Sequence, residues 1–90
     1  MPCETVEIVN QRGLHARASA KFVSLVSEKY DALDVRVEKD GVAAAGSSIL
    51  GLMMLGAAKG DVVTVCVEGD GADAALAELA TLVRDGFGEE

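Results

Sequence analysis

Thr5-Val6-Glu7-Ile8-Val9 alternates polar and apolar side chains, the period of a strand with one buried face, and the polar Asn10-Gln11-Arg12-Gly13 ends it. From Ala16 to about Lys29 there is neither Pro nor Gly. Ala18, Phe22, Leu25 and Val26 fall there at offsets of 0, 4, 7 and 8, the stripe of an amphipathic helix. Leu33, Val35 and Val37 then alternate with Asp34, Arg36 and Glu38 up to Asp40-Gly41, a two-residue hairpin signal, so a second and third strand should pair. Gly46-Ser47-Ser48 interrupts the returning strand. Ile49 to Leu55 is apolar on every side until Gly56, which fits a short helix capped by Ser48 or by Ser47.

After Lys59-Gly60-Asp61 the run Val62 to Val67 reads as a strand with at least one wholly apolar face, ended by Gly69-Asp70-Gly71. A last helix from about Ala72 to Arg84 carries Ala72, Ala75, Leu76, Leu79, Leu82 and Val83 on one side, and the Gly86 to Glu90 tail is expected to fray. The order β-α-β-β-α-β-α with a hairpin predicts an α+β architecture: one sheet with its helices on a single face. So small a domain cannot bury all of the second helix. Part of Ile49, Leu50, Leu52, Met53, Met54 and Leu55 should stay exposed as a partner surface.

Ninety residues allow one domain, residues 1–90, with no internal repeat or linker, and exclude a two-domain enzyme. Phe22, Tyr30 and Phe87 are the only aromatics, so Val, Leu, Ile and Ala must build the core. Eight basic against fifteen acidic residues give a net charge of −7, which argues against nucleic acid and anionic membrane as partners. The longest nearly apolar stretch, Ile49 to Ala58, is half of the roughly 20 residues that span a bilayer. Cys3 and Cys66 form neither a Cys-x-x-Cys pair nor a metal-ligand set, and no basic-then-apolar leader opens the chain. The expectation is a cytoplasmic protein in a reducing compartment, with Cys66 in a strand core, Cys3 incidental, and neither metal nor cofactor.

His15, the only histidine, stands where a glycine-containing loop meets the first helix. Near an N-cap, first-turn amides such as those of Ala16 and Arg17 lack intrahelical acceptors and point toward its side chain. A phosphoryl group on the imidazole would be held by those donors, by the positive helix end and by the Arg17 guanidinium, which can meet phosphate oxygens bidentately. The same two residues also occur together in ordinary surface loops, so alone they do not decide between a phosphohistidine and a simple ion pair.

Three ordered segments carry a stronger signal. Gly13-Leu14-His15-Ala16-Arg17, Ser48-Ile49-Leu50-Gly51-Leu52-Met53-Met54-Leu55-Gly56 and Ala58-Lys59-Gly60 resemble the active-site motif, the regulatory-serine helix and the following turn of the histidine-containing phosphocarrier protein (HPr) family of the phosphoenolpyruvate-dependent phosphotransferase system. The resemblance spans the chain. It implies an open-faced sandwich of four antiparallel strands under three helices. It also implies a monomeric carrier phosphorylated on His15 by enzyme I at the expense of phosphoenolpyruvate, passing the group to an enzyme IIA protein. By the same resemblance Arg17 stabilises the phosphohistidine, and Ser48 matches a serine modified by a kinase/phosphorylase in some lineages. Leu14, Ala16, Ala20, Ile49, Leu50 and Met53 would form the docking surface.

Two departures stand out. Ala18 replaces the proline that usually follows the Ala-Arg pair, which adds an N–H and some freedom at the helix start. Gly46-Ser47 stands where some members have a basic residue before the serine. The Gly-Phe-Gly-Glu-Glu ending and the Leu-Met-Met-Leu run look more like the regulatory, nitrogen-related branch than the sugar-uptake branch. The competing class is a non-covalent module that binds metabolites or partner proteins, which the same element order and apolar patch would suit.

Overall fold

The computed structural model describes residues 2–89. Its strands are β1 (Cys3–Glu7), β2 (Asp34–Lys39), β3 (Val42–Ala45) and β4 (Val62–Glu68); its helices are α1 (Ala16–Lys29), α2 (Ile49–Met54) and α3 (Ala72–Arg84), followed by a single 3₁₀ turn over Gly86–Gly88. The four strands form one antiparallel sheet in the order β1-β4-β2-β3. The expected element order, hairpin and open-faced architecture are all present.

Alternation decides which face is covered. Val6, Val35, Val37, Ala44, Val63, Val65 and Val67 point into the helix layer and are buried. Ala18, Phe22 and Val26 of α1, Leu52 of α2, and Ala75, Leu76, Leu79, Ala80 and Val83 of α3 meet them in one core. Asp40 (φ 52°) and Gly41 (φ 82°) both take left-handed backbone, as a two-residue hairpin of the twist-matching kind requires. β1 begins two residues earlier than the alternation suggests, because β4 extends far enough to pair Cys3 with Cys66. It also ends earlier. Ile8 stays tied to the 60–61 turn through Ile8 N–H to Asp61 O (2.8 Å) and Gly60 N–H to Ile8 O (2.8 Å), but Val9 turns out to solvent.

The cysteine expectation is overturned. Cys3 and Cys66 are directly opposite across β1 and β4 and form a disulfide, with Cα atoms 4.0 Å apart. Cys66 is buried, yet between Cys3 and Arg36 on the sheet face away from the helices rather than in the core. Two residues 63 positions apart meet only because β4 returns beside β1. The cysteines therefore lend no support to a reducing compartment. A cross-link closing so long a loop restricts the unfolded chain, typically by 2–4 kcal/mol in ~25 °C water. Replacing both cysteines by serine is expected to lower the unfolding free energy by about 2–4 kcal/mol. Chemical unfolding of the two proteins, each with and without reductant, checks this, and reductant should move only the parent.

The frayed tail is the second correction. Phe87, in left-handed backbone at φ 59°, is 0 % exposed and belongs to the main core, so residues 86–89 are folded back onto the domain. Glu90 lies outside the described residues. Among the described residues no helix is long and apolar enough to cross a membrane.

Candidate functional site

The loop before α1 is shaped by one glycine. Gly13 sits at φ +65°, and a Cβ there would come within 2.3 Å of Ala57 O and 2.8 Å of Ala58 Cα. Only a residue with no side chain lets the two backbones approach so closely. That approach allows Leu14 N–H to donate to Ala57 O at 2.9 Å, and the buried Asn10 amide clamps the loop from within by donating to Gly13 O at 2.8 Å. His15 follows, already fixed in direction, as the N-cap of α1 with extended backbone (φ −80°, ψ −175°).

The imidazole caps the helix with its own nitrogen. Arg17 N–H donates to His15 Nδ1 at 3.2 Å, so Nδ1 presents a lone pair and Nε2 carries the proton of the neutral ring. Ser19 N–H is taken by His15 O, while the amides of Ala16, Arg17 and Ala18 have no carbonyl a turn behind them within the helix. The Nδ1 edge therefore faces a concentration of N–H donors at the positive helix end, worth roughly 0.3–1 kcal/mol to an anion.

The Nε2 edge meets a carboxylate. Glu89 Oε1 and Oε2 lie 3.0 and 3.1 Å from Nε2, and Asn10 Nδ2 donates to Oε1 at 3.2 Å. The hydrogen bond from His15 holds the Glu89 carboxyl below its usual 4.5 against the opposing effect of partial burial; the Asn10 bond, the charge of Arg17 and, whenever the ring is protonated, that of His15 act in the same direction. The contact is thus complete above the ordinary carboxylate range and is lost as pH falls through the lowered value. Arg17 is exposed, and its side chain lines a shallow groove with Gln11, Arg12, Lys21, Gly88 and Glu89. Three cations on one groove are a local reversal of sign in a chain of net charge −7.

Ser48, not Ser47, caps α2: its Oγ accepts Gly51 N–H at 2.9 Å. The helix packs against α1 and presents Leu50 (68 % exposed) and Met54 (77 %) outward, with Ile49 and Met53 partly so, whereas Leu52 and Leu55 are buried. Met53 and Met54 both reach the surface. Ala16 is exposed and Ala20 half-buried beside this helix layer, but Leu14 is only 7 % exposed and serves as packing under the loop.

The family described as PTS HPr component phosphorylation site matches residues 3–85. The chain belongs to the HPr family. The phosphocarrier protein HPr of Neisseria meningitidis serogroup A is 47 % identical over 88 residues, covering 96 % of this chain and 94 % of that protein. The phosphocarrier protein NPr of Escherichia coli K12 is 36 % identical over 87 residues, covering 97 % and 96 %. A crystal structure of HPr from Thermoanaerobacter tengcongensis superposes with a TM-score of 0.90 at 41 % identity, covering 100 % of this chain and 99 % of that one. Relatives named HPr and NPr both resemble the chain, so the general phosphocarrier reading and the nitrogen-related one each have support.

Within this HPr-family frame the structure brings His15 and the Arg17 amide together at the start of α1, and places Ser48 at the start of α2 with Ile49, Leu50 and Met53 beyond it. Sequence reasoning missed Glu89, 74 residues from His15, and Asn10, which joins the loop to the tail. One signal was available. Phe87 is one of only three aromatics in the chain, and an aromatic so scarce is rarely left in solvent at a terminus. Among the described residues no group of three or more His, Cys, Asp and Glu is arranged to hold a metal ion.

Proposed function

We propose that this HPr-family protein accepts a phosphoryl group from phosphorylated enzyme I, with phosphoenolpyruvate as the source, on Nδ1 of His15 and passes it to an enzyme IIA protein. The observation that carries this reading is the Arg17 N–H bond to Nδ1, which presents a lone pair at a helix N-terminus rich in free N–H groups. In the acceptance step the Nδ1 pair forms a bond to phosphorus, and the bond from phosphorus to the donor breaks with its electrons leaving on the donor. The Nε2 proton stays in place, so the ring becomes cationic. The new phosphoryl oxygens replace Nδ1 as acceptors for the Arg17 amide and reach the free amides of Ala16 and Ala18, and the exposed Arg17 side chain, which lines the neighbouring groove, turns its guanidinium toward them to add charge. Ala18 contributes here what a proline could not, a third N–H donor.

The exposed side chains of Ile49, Leu50 and Met53, with Ala16 and Ala20, form the surface on which enzyme I and enzyme IIA dock; Leu14 supports it from below. The carrier acts as a monomer in the cytoplasm, without cofactor, metal or nucleic acid. In a reducing cytoplasm Cys3 and Cys66 would stand as two apposed thiols. Intact mass after incubation with phosphoenolpyruvate and purified enzyme I tests the reading. One phosphoryl group that mild acid removes supports it. No gain, beside an enzyme I that loads another carrier, overturns it in favour of a non-covalent regulatory module.

Ser48 is the proposed target of a serine kinase/phosphorylase. A phosphate there sits on a helix N-terminus that tolerates it, inside the apolar docking surface that does not. Asp is as good an N-cap as Ser. Ser48→Asp is therefore expected to leave the circular dichroism spectrum unchanged while slowing phosphoryl acceptance from enzyme I roughly tenfold, about 1.4 kcal/mol. Stopped-time mass measurements check the rate, and an unfolded variant would contradict the capping geometry.

A further inference from the structure

We infer that Glu89 is a positioning residue for phosphoryl transfer: its carboxylate fixes the His15 ring with the proton on Nε2 and Nδ1 free, and balances the ring's positive charge once Nδ1 carries the phosphoryl group. The inference rests on the carrier reading above and adds a residue to it.

The carboxylate is built into place. Phe87 is wholly buried, and its carbonyl accepts Lys21 Nζ at 2.7 Å. Gly88 N–H donates to Asp85 O at 3.3 Å and Glu89 N–H to Gly86 O at 3.0 Å, so the backbone turn that presents Glu89 is anchored on both sides of the aromatic ring. The side chain is only 15 % exposed. Asn10 holds Oε1 while also holding Gly13 O, so one amide sets the spacing between the tail and the histidine loop. Both ring nitrogens thus have a partner of fixed polarity: a donor, Arg17 N–H, at Nδ1 and an acceptor, the Glu89 carboxylate, at Nε2. These two contacts select the same tautomer. A ring with its proton on Nδ1 would oppose N–H to N–H on one side and a lone pair to a carboxylate on the other.

The same contact serves the charged state. When Nδ1 takes the phosphoryl group, the Nε2–H bond to Glu89 becomes a bond between cation and anion, the stronger kind. The carboxylate lies across the ring from the phosphoryl oxygens, with the imidazolium charge between them. When the group moves on, the phosphorus–Nδ1 bond breaks, its electron pair returns to Nδ1, and the proton remains on Nε2 beside Glu89.

The test pairs kinetics with spectroscopy on Glu89→Ala and the isosteric Glu89→Gln. Nitrogen-15 spectra of the His15 ring read the tautomer in each protein, and rapid-quench mass measurements read the rate of acceptance from phosphorylated enzyme I. The expected result is a wild type with its proton on Nε2, a tautomer mixture in Glu89→Ala, and acceptance slowed about tenfold in that variant, the scale of a lost charge-assisted hydrogen bond. Glu89→Gln, which keeps an oxygen acceptor but no charge, is expected to retain the tautomer and lose part of the rate. Thermal unfolding verifies that both variants fold. If wild type accepts phosphate and Glu89→Ala does so equally fast or faster, the carboxylate is neutral or competes with the incoming group, and the inference fails alone. If wild type accepts none, the carrier reading fails and takes this inference with it.

Discussion

His15→Ala is expected to gain no acid-labile phosphoryl group under conditions that load wild type completely. The ring is the only imidazole in the chain, and hydroxyl groups would give acid-stable esters instead. Two structural contacts disappear with it: the bond from Arg17 N–H that caps α1, and the bond to Glu89. Loss of a cap costs about 0.5–2 kcal/mol, so the alanine variant is expected to fold but to melt several degrees lower. His15→Asn separates chemistry from architecture, because asparagine is among the strongest N-caps. It should recover most of the lost stability and still accept nothing. An intact-mass series on the three proteins, with mild acid as the second arm, gives the answer; an acid-labile adduct on either variant would sink the assignment of His15 as acceptor.

Local pattern made much of this legible. The 16–29 helix shows its stripe of Ala18, Phe22 and Val26, the hairpin shows Asp40-Gly41, and the last helix is bounded by Gly71 and by the change of composition after Arg84. His15 was recognisable because helix N-termini have a sequence-local cause. The remainder depends on contacts between distant segments. Nothing near Cys3 announces Cys66, and their meeting follows from the sheet order, in which the first strand pairs with the last. Glu89 is similarly invisible at short range. Its partner lies in a loop at the other end of the chain, and the Gly86-Phe87-Gly88 run that positions it has the composition of a loose turn. Only burial of Phe87 converts that run into a fixed strap.

Replacing Phe87 therefore joins stability to chemistry. Phe87→Ala removes a completely buried ring packed between α1 and α3 and leaves a side chain in left-handed backbone with nothing to hold it there. Large-to-small changes of this kind cost about 3–5 kcal/mol, against a total of roughly 5–15 kcal/mol for a domain. With roughly 4–8 °C lost per kcal/mol at this size, thermal unfolding should show a drop of more than about 12 °C. The tail should loosen first, since its main anchor is gone: amide exchange over residues 86–89 is expected to rise more than that of β4. Glu89 then no longer reaches Nε2 reliably, so the variant should show the tautomer mixture and slowed acceptance expected of Glu89→Ala. Phe87→Leu, which fills part of the space, should lie between the two on both scales. The double variant Phe87→Leu with Glu89→Ala provides the decisive comparison. If Phe87 acts on transfer only through the carboxylate, adding the leucine to Glu89→Ala lowers stability further without slowing acceptance further. Additive losses in rate would show instead that the buried ring supports the histidine loop by a route independent of Glu89.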